Sequence, residues 1–165
     1  MKAEYDYADE HGLVCVMDIG KCGSESWQTD RLLRVIKEHP AMKFVVCHLL
    51  AVSMRDEDKL VEGLKKLALP NVWFDLAALP HNCGPDAYPY PNAVRYLRHG
   101  IKIAGADKLI FGTDILGAEG GQLSAFYTVH HLQRCIFQGR KGTNHVQECK
   151  AGIFQVNIKG GSYEV

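Results

Sequence analysis

Four short apolar runs, each separated from the next by a stretch of helical periodicity, limit what this chain can become. They are residues 13–17 (LVCVM), 44–47 (FVVC), 72–74 (VWF) and 109–111 (LIF). Between the first two, Leu32, Leu33, Val35 and Ile36 give a helical face that Pro40 ends. Between the second and third, Leu60, Val61, Leu64, Leu67 and Ala68 form a helical stripe. Before the fourth, Pro91 suits a first helical turn, Val94, Leu97, Ile101 and Ala104 follow at helical spacing, and Gly105 closes the element. Strands joined by helical crossovers run parallel. The runs are continuous rather than alternating, which reads as strands buried on both faces. Residues 3–11 read as the last turns of a helix, with Gly12 as its cap. Further helices are expected over residues 122–137 and 146–154.

A chain of 165 residues has room for one domain with a real core. Lys+Arg and Asp+Glu both number 19, so no basic excess points to nucleic acid. No apolar run approaches the length of a membrane span, and the first residues lack a signal-peptide core. A cytoplasmic location is the expectation, with no nucleic-acid or membrane partner. The 6 cysteines include no CxxC pair, and Cys15, Cys47 and Cys135 lie in apolar runs, which reads as free buried thiols rather than disulfides.

The chemistry-bearing residues collect where the runs end. The first run leads into Asp18, the second into His48, the third into Asp75, and the fourth into Gly112, Thr113 and Asp114. In a parallel α/β sheet these positions share one rim, where such folds place ligands. His48 has an imidazole suited to a divalent metal or to polarising a carbonyl. Asp114 suits a metal ligand and a proton acceptor. Asp18 adds a carboxylate to make a set of three candidate metal ligands, and Thr113 is placed to orient Asp114. Lys21, Ser24 and Trp27, in the loop after the first strand, are candidates to grip a substrate carboxylate and ring. Asp75, and His81 and Tyr88 in a proline-rich loop, are further substrate-binding candidates. Each has a plainer reading: a backbone-bonded core His, a turn-forming Asp, a packing Trp.

Phe111-Gly112-Thr113-Asp114, the 44–48 run behind His39-Pro40, and Asn71-Val72-Trp73-Phe74-Asp75 together resemble the amidohydrolase-related (type 2) family of metal-dependent TIM-barrel enzymes. The similarity covers nearly the whole chain; residues 153–157 resemble the short helix that closes such chains. Its relatives include decarboxylases and lactone hydrolases. The resemblance implies strands five to eight of an eight-stranded barrel, so the chain reads as a parallel (βα)4 half of a TIM barrel. It is then one partial domain over residues 1–165, the C-terminal half of a larger barrel. His48 matches the family's sixth-strand histidine and Asp114 its eighth-strand aspartate. Asp18 stands where the family often has a fifth-strand histidine. The family's first-strand His-x-His pair has no counterpart here.

The function expected from the resemblance is metal-dependent hydrolysis of a small carboxylated or cyclic substrate, with zinc or manganese as cofactor and Asp114 and His48 as the catalytic pair. A decarboxylase of the same family is the alternative chemistry. The chain is expected to be part of a longer barrel and inactive alone. The competing expectation is a non-catalytic half-barrel whose open sheet edges pair with a second copy, because exposed parallel edges invite association. A flavodoxin-like open sheet fits less well, since residues 20–24 (GKCGS) are not a phosphate-binding glycine loop.

Overall fold

The computed structural model describes residues 2–85, 87, 90–112 and 114. The helices expected over 122–137 and 146–154, together with Thr113 and Tyr88, lie outside the described residues. In chain order the elements are α1 (Lys2–Glu10), β1 (Val14–Met17), α2 (Thr29–Glu38), β2 (Lys43–Val46), α3 (Glu57–Leu67), β3 (Val72–Asp75), α4 (Leu79–Asn82), α5 (Pro91–Ile103) and β4 (Leu109–Ile110). The strands form one parallel sheet in the order β1-β2-β3-β4. Each strand therefore lies beside the next in sequence, as expected when every crossover has the same hand.

The side-chain period of two divides the sheet into unlike faces. Phe44, Val46, Val72, Phe74 and Leu109 are buried beneath the helices. Leu32 and Ile36 of α2, Leu60, Leu64 and Leu67 of α3, and Tyr96 and Leu97 of α5 close over them. The Tyr96 hydroxyl satisfies its buried end by donating to the Ser53 carbonyl at 2.7 Å. Lys66 links α3 to α2, with Nζ 2.9 Å from an Asp30 carboxylate oxygen.

The opposite face carries Val14, Val16, Lys43, Val45, Trp73, Asp75 and Ile110, by the same alternation. It is more open. Val14 is 49% exposed and Val16 62% exposed. The first apolar run is thus not buried on both faces. Only Cys15 and Met17 turn towards the helices, where Tyr5 of α1 meets the Met17 thioether. The fourth strand is shorter than its apolar run, for Phe111 has left the ladder and is 40% exposed.

At the N-terminal ends of the strands the chain is tied by side chains. Asn71 donates to the Met42 carbonyl at 3.0 Å and the His39 carbonyl at 3.3 Å. The buried His39 ring in turn lies 3.2 Å from an Asp9 carboxylate oxygen of α1. No helix among the described residues is long and apolar enough to cross a membrane.

Candidate active site at the carboxyl ends of the strands

β2 ends at Val46, and the next residues do not continue any regular element. Cys47–Ala51 form a tight turn in which His48, Leu49, Leu50 and Ala51 have φ of 59°, 46°, 71° and 48°. Four successive side chains in the left-handed region are costly, at about 1–2 kcal/mol each. The surroundings hold them there. Leu49 and Leu50 are buried in the core. Gly63 of α3 leaves room for the turn, since a Cβ there would sit 2.7 Å from Leu50 Cδ1. The loop after β1 latches on from above: the Cys22 amide donates to the Ala51 carbonyl at 3.2 Å, and the Trp27 indole N–H donates to the Leu50 carbonyl at 2.9 Å.

This turn lifts His48 over the end of the sheet. Asp75, the last residue of β3, receives the His48 amide at 2.9 Å and the Ala77 amide at 3.0 Å on one oxygen, Oδ1. His48 Nδ1 lies 3.1 Å from the Ala77 carbonyl, which only accepts, so the ring donates there. In the neutral ring Nε2 then keeps its lone pair. Nε2 lies 3.8 Å from Asp18 Oδ2. Asp18 has two uses for its carboxylate: Oδ1 receives the Gly20 amide at 2.8 Å, shaping the turn after β1, and Oδ2 faces His48.

Cys47 belongs to the same cluster. Burial pushes its thiol up to about 12, helped by a hydrogen bond with Asp75 and by the negative charges of Asp75, Asp18 and Asp114. The thiol is therefore a marker of how the carboxylates converge. Sequence reading placed Cys47 among inert core thiols; its position immediately before His48, one step out of phase with buried Val46, was the available signal. The Ala77 carbonyl, which fixes the ring, had no signal in residue type.

Asp114 stands at the same rim, exposed, with φ of 55°. The chain reaches it past Gly112, which lies so close to β3's end that a Cβ there would come within 3.0 Å of Ala77 Cβ. The remaining candidates are placed differently. Lys21 is exposed and its carbonyl receives the Ser24 hydroxyl at 2.7 Å. Trp27 is half-buried, with its N–H committed to the turn. His81, on α4, is exposed.

As a metal centre the rim is a pair of donors rather than a cage. Among the described residues no three His, Cys, Asp or Glu side chains close on one ion. The 3.8 Å between His48 Nε2 and Asp18 Oδ2 nevertheless suits two neighbouring ligands, because bonds of about 2.0–2.1 Å at a tetrahedral angle put ligand atoms about 3.3 Å apart. The ring tautomer and the carboxylate both fit a divalent ion with open positions.

Three solved structures align with most of the chain. An amidohydrolase from Burkholderia multivorans with bound HEPES is 17% identical, with a TM-score of 0.67, covering 90% of this chain and 52% of that one. A zinc-bound structure of an amidohydrolase from the same organism aligns at 16% identity and a TM-score of 0.66, over 92% of this chain and 52% of that one. A putative 2-pyrone-4,6-dicarboxylic acid hydrolase from Pseudomonas putida is 14% identical, with a TM-score of 0.62, over 92% of this chain and 52% of that one. The chain thus spans about half the length of these barrel proteins. No curated protein matches it. The amidohydrolase family model matches residues 3–134, and with half of a TIM barrel in its sheet and helices, the chain belongs to the amidohydrolase family.

Proposed function

We propose that this chain carries part of the active site of a metal-dependent hydrolase acting on a small carboxylated or cyclic substrate. The observation that carries the reading is the His48 ring: Nδ1 is bound to the Ala77 carbonyl and Nε2 is turned to Asp18 Oδ2 at the sheet's carboxyl rim. Family membership supports it, as do the zinc bound in one structural neighbour and the likeness to another known as a putative 2-pyrone-4,6-dicarboxylic acid hydrolase.

His48 and Asp18 would hold the ion, zinc or manganese. When bound, such an ion supplies Lewis acidity to the carbonyl under attack. The protein's own residues do the rest. The Ala77 carbonyl fixes the ring so that Nε2, not Nδ1, faces the mouth. Asp75 holds the turn that carries His48. Asp114, exposed at the rim, takes a proton from the attacking water and returns it to the leaving group. Lys21, exposed in the loop after β1, is the cation nearest in sequence for a substrate carboxylate.

Metal analysis after dialysis against zinc or manganese tests the reading. Wild type should retain metal, His48→Ala should lose it, and Asp18→Ala should weaken it. Absence of uptake, or uptake unchanged by both substitutions, would overturn the assignment.

A further inference from the structure

The side chains of Asp18 and His48 stand on different segments and face each other without a hydrogen bond. Asp18 Oδ2 and His48 Nε2 are 3.8 Å apart, beyond hydrogen-bond reach. The sheet does not set that distance. Its β1–β2 ladder ends at Met17 beside Val46, one residue before Asp18 and two before His48. Past the ladder, the loop after β1 carries Asp18, whose side chain is 61% exposed, and the left-handed turn carries His48.

Two bonds rejoin these segments. The Trp27 indole N–H donates to the Leu50 carbonyl at 2.9 Å, and the Cys22 amide donates to the Ala51 carbonyl at 3.2 Å. Short bonds lead back from there to both donors. On the loop side the Trp27 amide donates to the Ser24 carbonyl at 3.1 Å. The Ser24 amide and hydroxyl donate to the Lys21 carbonyl at 2.9 Å and 2.7 Å, and the Gly20 amide donates to Asp18 Oδ1 at 2.8 Å. On the turn side, Leu50 lies two residues from His48, whose amide is held by Asp75. Trp27 is the link made by a side chain: its ring packs against the core and its N–H reaches across to the turn.

We propose that Trp27 is a positioning residue for the Asp18–His48 pair. Its indole N–H straps the Asp18 loop to the His48 turn and so sets the separation of the two donors. The proposal rests on the metal-dependent reading above. A pair of donors held at its working distance before an ion arrives binds it more tightly, because less ordering is left for the binding step. Such coupling is reciprocal: an ion that gains from the strap must hold the strap more firmly in return.

Zinc titration of the full chain against a competing chelating dye tests the proposal, together with hydrogen exchange at the indole N–H followed by NMR. Trp27→Phe keeps an aromatic ring and loses the donor, and it should bind zinc about tenfold more weakly than wild type. Glu57→Gln loosens the α3–α5 contact away from the rim and should bind zinc as wild type does, which separates loss of position from loss of stability. In the wild type, saturating zinc should slow exchange of the Trp27 indole proton about tenfold and leave that of Trp73, the second of the 2 tryptophans, unchanged. That measurement needs no variant to fold. Wild-type affinity in Trp27→Phe, an equal loss in Glu57→Gln, or indole exchange indifferent to zinc would overturn the strap and leave the metal assignment standing. A wild type that takes up no zinc, or takes it up equally as His48→Ala, would overturn the metal assignment and the strap together.

Discussion

Asp75 Oδ1 holds the His48 amide at 2.9 Å, and with it a turn that no backbone preference would form. The same oxygen takes the Ala77 amide at 3.0 Å, and Ala77 offers its carbonyl to the His48 ring. One carboxylate therefore sets both where the imidazole sits and which nitrogen it presents. Asp75→Ala should leave two amides short of a partner and cost about 2–4 kcal/mol. Asp75→Asn keeps an acceptor oxygen and should cost about half as much. Urea denaturation of the two variants checks this; equal losses would mean that the charge, not the geometry, holds the turn.

Cys47 reports on the carboxylates around it. Its thiol is pushed up to about 12, first by burial and then by Asp75, with Asp18 and Asp114 adding to the effect. An ordinary thiol titrates near about 8.5, so at that pH the native thiolate should be scarcer than the unfolded one by more than a hundredfold. Alkylation by iodoacetamide, mapped by peptide mass spectrometry, should be slow at Cys47 in the native chain and fast in urea. Asp75→Asn removes one negative charge and should speed the native reaction. A native rate at Cys47 equal to the denatured rate would contradict the cluster.

The parallel order of the sheet was legible in the sequence because helices separate every pair of apolar runs, and only parallel strands are joined that way. The rim was legible for the same reason: Asp18, His48, Asp75 and Asp114 all follow strand ends. What the residues did not show was the cover on each face. Val14 and Val16 read as core by type, yet among the described residues nothing covers them. An apolar side chain says that burial is favourable and nothing about which partner supplies it. The left-handed turn was also hidden, because no Gly or Asn marks His48–Ala51. Its support comes from Asp75, Trp27 and Gly63, all distant in sequence.

On the outer surface, Glu57 joins α3 to α5. Its carboxylate receives Arg95 Nε at 2.9 Å and lies 2.8 Å from His99 Nε2. Burial works to raise this carboxyl, but the bonds from His99 and Arg95 outweigh it and hold it below the usual range. A lowered carboxylate stabilises the fold above its unfolded value of about 4.3, and the contribution is lost as pH falls through the folded value. Glu57→Gln should therefore be less stable than wild type by about 1 kcal/mol near neutrality. The difference should shrink towards pH 3 or so, where both chains carry a neutral side chain. Melting temperatures of the pair across the acid range measure it; a gap that widens on acidification would reverse the sign.

Ala51 ends the left-handed run, with φ of 48° and 7% exposure. It contributes a methyl to the core and a carbonyl that receives the Cys22 amide at 3.2 Å. Glycine at this position keeps the carbonyl and removes the clash that makes the left-handed region costly for a side chain. It also adds freedom to the unfolded chain and loses the methyl, both of which oppose the gain. Where φ is positive the first effect wins, so Ala51→Gly should stabilise the chain by about 1 kcal/mol. Ala93, in the first turns of α5 and fully buried, provides the contrast. There the backbone is helical, and Ala93→Gly should cost about 1 kcal/mol. Denaturation midpoints of the two variants should move in opposite directions. If both fall, the turn at His48 carries no strain, and Asp75 has less to hold than its two short bonds indicate.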